Sequence, residues 1–66
     1  MITLDEEMQI DLNDIEINIK MMLPLQTRFA IRSFKRKYAD QEYCNPKYRE
    51  IYKLEKMFEE QMNKFK

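Results

Sequence analysis

Apolar residues recur along this chain at three- and four-residue intervals, and the clearest run lies towards its C-terminal end. From Tyr48, the positions Ile51, Leu54, Phe58, Met62 and Phe65 follow one another at that spacing. At about 100° per residue they fall in one stripe of a helix, with Tyr52 on its edge. Lys53, Met57, Glu60 and Lys64 face away, and Glu60 precedes Lys64 by one turn in the order that favours an ion pair. Ahead of the run, Asn45-Pro46 supplies a capping residue and a proline whose fixed φ suits the first helical position. The pattern predicts a helix over 46–65.

The middle of the chain repeats the pattern. Ala30, Ile31, Phe34 and Tyr38 share one face, and Arg28, Arg32, Lys35 and Arg36 run beside it. Pro24 can open this helix, but its ring pushes residue 23 out of the helical region and so separates the helix from what precedes it. A second helix is therefore expected over 25–39. The short connection from Asp40 to Cys44 would fold it back on the last one as an antiparallel helical hairpin.

The N-terminal segment supports two readings. As a helix, Leu4, Met8, Leu12, Ile15, Ile19 and Met22 line one stripe, and Thr3 with Glu6 fits a capping box. As strands, Asp14 to Met21 alternates polar with apolar, isoleucine favours extended backbone, and Asn13-Asp14 supplies a turn for a β-hairpin. Two strands alone are marginal in water, and the rest of the chain offers no third. The helical reading, over 3–22, is the one expected, with a break admissible near Ile10 to Asn13. It leaves Ile10, Ile17 and Met21 as a second apolar stripe that a monomer would expose to water.

Composition agrees with helices. The chain has 66 residues, no Gly, and two Pro that fall near the seams between segments. It is dense in straight-chain residues that lose little rotamer freedom in a helix. The fold class expected is thus all-α, a single domain of three helices. So small a core supplies only about 3–5 kcal/mol, and chains of this size lean on disulfides, metals or association. Cys44 is the only cysteine and there is no histidine, which leaves association as the expected support. No apolar run approaches the roughly 20 residues that span a bilayer, and the start of the chain is acidic, unlike a signal peptide. With the lone cysteine, a cytoplasmic setting away from membranes is expected.

Charge is segmented behind a net value of zero. Asp5, Glu6, Glu7, Asp11, Asp14 and Glu16 against Lys20 leave residues 1–25 at −5, while Arg28, Arg32, Lys35, Arg36 and Lys37 leave 26–39 at +5. Catalysis is not expected: there is no histidine, no Gly-rich phosphate loop and no nucleophile beside a base. The N-terminal acids lack the spacing and glycine of a calcium loop. No cofactor and no metal is expected. The basic stripe can meet phosphates or protein. The slightly acidic isoelectric point and the nearby acids favour protein. Tyrosine and arginine dominate interface energetics and methionine adapts to docking surfaces. The candidate contact residues are therefore Arg28, Arg32, Lys35, Arg36, Tyr43, Tyr48 and Tyr52, with Ile17 and Met21 from the second stripe.

From Lys35 to Phe65 the chain resembles the short helical-hairpin phosphatases that act on sporulation phosphorelay proteins. Asn45-Pro46 stands where that family has Asp-Pro, and Lys53-Leu54-Glu55-Lys56 and Asn63-Lys64-Phe65 echo its second helix. The family's Ser-Gln-Glu-Leu-Asp motif is absent and the N-terminal third has no counterpart, so only the helical hairpin is implied. Small size without catalytic residues also suits phage or mobile-element proteins that inhibit a host factor. The function expected is a non-catalytic regulator or inhibitor that docks on and occludes a larger protein, as a homo-oligomer or in a hetero-complex. The alternative is a nucleic-acid-binding module using the basic helix, and a third class is a structural subunit of an assembly.

Overall fold

The computed structural model describes residues 1–64, all of them helix, turn or irregular, with no strand. The first helix, α1, spans Leu4–Lys20, α2 spans Pro24–Lys37 and α3 spans Glu50–Asn63. The expected position of Phe65 on the last stripe lies outside the described residues. The alternating run from Asp14 to Met21 does not form a β-hairpin: Asp14–Lys20 continues α1 without a break at Ile10–Asn13. The helical stripe wins because Met8, Leu12, Ile15 and Ile19 can all be buried together in it, whereas strand alternation would bury Ile15, Ile17 and Ile19 against nothing.

Each helix begins and ends for a local reason. The Thr3 hydroxyl accepts a hydrogen bond from the Glu6 amide at 3.1 Å, and Asp5, Glu6 and Glu7 sit in the first turn, where the helix dipole favours anions. At the other end the Leu23 amide donates to the Asn18 carbonyl and the Met22 amide to the Ile19 carbonyl. This is a Schellman closure, which needs a left-handed residue at Met22, and its φ is 58°. Glycine normally fills that place because a side chain is penalised there. Leu23 gives α2 no side-chain cap, so Pro24 starts that helix on its preset φ alone.

The stretch between α2 and α3 is not a plain loop. Ala39–Gln41 and Pro46–Arg49 are 3-10 turns, and regular α-helix resumes only at Glu50, four residues later than Pro46 suggested. The Asn45 side chain accepts from the Lys47 amide at 2.9 Å, as a capping residue should. It also donates to Asp5 at 3.1 Å and to Gln41 at 3.3 Å, and so fastens the connection to the start of α1.

One core joins the three helices. Met8, Leu12, Ile15 and Ile19 of α1 meet Ile31 and Phe34 of α2, Tyr38 and Tyr48 of the connection, and Ile51, Leu54 and Phe58 of α3. Leu4 and Met22, expected on the α1 stripe, are exposed: one is the first helical residue and the other sits in the left-handed turn. The expected C-terminal hairpin is not a unit apart: α1 packs on both other helices, and more extensively on α2 than α3 does. Thr27 is fully buried, and its hydroxyl is the one buried side-chain polar atom without a hydrogen-bond partner among the described residues.

Candidate docking site

The basic segment divides once folded. Its lysines are consumed by the fold. Lys35 reaches Glu55 at 2.7 Å and lies over the Tyr52 ring, 5.9 Å from its centroid. Lys37 reaches Glu7 at 2.8 Å and Asp11 at 3.2 Å, and these carboxylates, with the Tyr38 hydroxyl, hold its pKa above the ordinary lysine value. Tyr38 donates to Asp11. Burial first and that bond second push its hydroxyl up to about 12. Its arginines are treated differently. Arg28, Arg32 and Arg36 are exposed, and no carboxylate of the described residues lies within ion-pairing distance of them.

Arg28 of this row stands at a groove of about 530 Å³ between α2 and α3. Ile31, Phe58 and Met62 line its apolar part, Arg28 stands on the α2 wall, and Glu55, Glu59 and Asn63 stand on the α3 wall. These residues meet because Ile31 and Phe58 sit at the edges of their helices' buried stripes, where two round helices diverge towards solvent. The Arg28 guanidinium lies 5.9 Å from the Phe58 ring centroid, a cation–π contact that keeps the arginine extended over the groove and leaves its donors to a ligand. Glu59 has no ion pair among the described residues, whereas Glu55 is tied to Lys35.

The tyrosines go three ways. Tyr48, expected among the contact residues, is instead buried at 2% exposure, in tilted contact with the Phe34 ring and edge contact with the Tyr52 ring, and burial raises its pKa. This is a correction: the ring closes the core where the connection enters α3. Tyr52 is half exposed and donates to Glu42 at 2.9 Å. That bond and then burial push its hydroxyl up to about 12. Tyr43 is almost fully exposed in the connection, next to the free thiol of Cys44. Lys35, also expected among the contact residues, has its ammonium engaged by Glu55 within the fold.

Ile17 and Met21 are exposed at 52% and 64%, as is Ile10 at 51%, on the side of α1 opposite its buried stripe. The sequence reading missed Leu25 and Phe29, exposed at 67% and 62%. The signal was present: both lie more than 100° from the Ile31–Phe34 stripe, too far round α2 to reach the core.

Among the described residues no cluster of three metal-ligating side chains occurs, and no helix is long and apolar enough to cross a membrane. Comparison with known proteins returned no matching family model, no matching curated protein and no matching solved structure.

Proposed function

We propose that the protein is a non-catalytic docking protein that regulates or inhibits a larger protein by covering one of its surface segments. The observation that carries this reading is a groove floored by Phe58 and Met62, with Arg28 on its α2 wall and no carboxylate partner for that arginine among the described residues. An amphipathic segment of the partner fits such a groove, its apolar side chains against Ile31, Phe58 and Met62. Arg28 on one wall favours acids on that segment, and Glu59 on the other, without an ion pair among the described residues, favours a base. Apolar contact then supplies affinity, while the charges set orientation and on-rate. A cytoplasmic setting and a phage or mobile-element origin belong to the same proposal. They rest on the lone cysteine and the small non-catalytic chain.

Affinity purification from the native cell, with mass spectrometry of the captured proteins, tests the reading when wild type is run beside Arg28→Glu/Glu59→Lys. A protein captured by wild type and lost in the variant supports groove docking. Equal capture by both rejects it. The nucleic-acid alternative is favoured by the three exposed arginines of α2. A duplex or single strand bound with steep salt dependence, and released in Arg32→Glu/Arg36→Glu, would establish it instead.

A further inference from the structure

The turn from α1 into α2 carries an apolar tip that the groove does not use. Met21 and Met22 lie in the connection between Lys20 and Pro24, Leu25 is the second residue of α2, and all three are exposed. One turn further along α2 comes Phe29, also exposed. At about 100° per residue, Leu25, Phe29, Arg32 and Arg36 fall within about 60° of one another. The buried residues of that helix, Thr27, Ile31 and Phe34, lie on the opposite side. The four exposed residues therefore form a strip along the crown of α2, separate from the face that packs on the core.

Along this strip apolar side chains come first and arginines after. At about 1.5 Å of rise per residue, Phe29 stands about 6 Å beyond Leu25, Arg32 about 10 Å and Arg36 about 16 Å. No acid occurs between Glu16 and Asp40, and neither Arg32 nor Arg36 has an ion pair among the described residues. The acids of the neighbouring helices stand to either side, Asp11 and Asp14 in the furrow beside α1, Glu55 and Glu59 in the groove beside α3. At the tip, Glu60 shares a shallow pocket with Met22 and two bases, Lys20 and Lys64.

We propose that this tip docks on an anionic lipid surface: Met21, Met22, Leu25 and Phe29 enter the bilayer interface, and Arg32 and Arg36 rest on the lipid phosphates. Interfacial anchors sink about 5–10 Å. Leu25 and Phe29 span that depth when α2 stands steeply on the membrane, which leaves the arginines at headgroup level. A bilayer supplies acyl chain and phosphate in the order the strip presents them, and it asks for no matching shape. A nucleic-acid backbone would engage the arginines and leave Met21, Met22 and Leu25 without a counterpart. A protein segment finds a concave seat in the groove, which this convex strip does not offer. Contact of this kind needs no membrane-spanning helix, and none occurs among the described residues.

Co-sedimentation of the full chain with phosphatidylcholine vesicles, with and without phosphatidylserine, tests the proposal. Binding is expected to the anionic vesicles alone, and to weaken with salt. Arg32→Glu/Arg36→Glu should lower the affinity about 25-fold or more, at about fivefold for each base lost. Leu25→Ser/Phe29→Ser should lower it about tenfold or more. All four side chains are exposed, so circular dichroism should show the fold unchanged. Phe29→Trp places one indole in a chain that has none, and its emission should shift to the blue on anionic vesicles. The proposal is overturned by a chain that binds neither vesicle, by binding indifferent to Leu25→Ser/Phe29→Ser, or by an emission that stays at its aqueous wavelength. An oligonucleotide bound where vesicles are not also overturns it, in favour of the nucleic-acid reading. None of these four positions lines the groove, so partner capture there and vesicle binding here succeed or fail separately.

Discussion

The two ends of the α1–α2 pair are built on different terms. At the end where α2 finishes, polar side chains are matched. Lys37 lies between Glu7 and Asp11, Tyr38 donates to Asp11, and Asn45 reaches Asp5. At the end where α1 turns into α2, matching stops. Met22 is left-handed, the Thr27 hydroxyl is buried without a partner, and Met21, Met22, Leu25 and Phe29 face outward. A single chain with a small core shows what each end is for. Side chains at the first end hold the fold, and those at the second leave apolar surface unspent.

The sharpest contrast is between two aromatic residues of neighbouring sequence. Tyr38→Ala removes a ring exposed by only 3% that packs on Phe34 with centroids 4.8 Å apart, and it strips Asp11 of its hydroxyl donor. A loss of about 3–5 kcal/mol is expected from the cavity alone, which approaches the whole stability of a domain this small. Phe29→Ala, nine residues earlier, should change stability by no more than about 0.5 kcal/mol. Urea unfolding followed by circular dichroism, at a concentration low enough to keep the chain monomeric, decides it. Similar losses for both would mean that the turn end holds the fold as firmly as the polar end.

This partition was half visible in the sequence. The stripes Met8–Leu12–Ile15–Ile19 and Ile51–Leu54–Phe58 follow from helical spacing, and so does the exposure of Ile17 and Met21, because periodicity fixes angle. For residues 14–21 the want of a third strand already favoured helix over hairpin, and the fold adds the apolar surface of α2 and α3 against which Ile15 and Ile19 are buried. Spacing could not separate Lys35 and Lys37 from Arg28, Arg32 and Arg36. Their partners Glu55, Glu7 and Asp11 are remote in sequence, and ion pairing depends on which helices become neighbours. Tyr48 was legible as a core residue and as a contact candidate at once, and only the 3-10 turn Pro46–Arg49 aims it inward. The groove was not legible at all, being a product of two helices diverging.

The turn end can be relieved without touching the polar end. Thr27→Val keeps the β-branched shape and removes the orphaned hydroxyl. A buried hydroxyl without a partner carries a desolvation cost of about 1–3 kcal/mol. Part of this is recovered in the substitution, so a gain of about 1 kcal/mol is expected in the urea midpoint. A loss would show that the hydroxyl is bonded to a buried water, and the contrast between the two ends would narrow.

Met22→Gly is the smallest effect and the one that separates strain from packing. A left-handed residue other than glycine costs roughly 1–2 kcal/mol, and glycine removes that cost. Glycine also frees the unfolded chain, which offsets about 0.4–1 kcal/mol of the gain. The balance is a stabilisation of about 0.5 kcal/mol, read from the same unfolding curves. The Schellman bonds to Asn18 and Ile19 come from backbone amides and survive the change. The Met22 side chain is 51% exposed and lines a shallow pocket with Ile19, Met57 and Gln61. If the variant proves less stable, those contacts outweigh the strain, and Met22 belongs to the fold. If it is more stable, the chain keeps an exposed thioether at a strained position that glycine would fill better, which is what a surface retained for contact with another molecule requires.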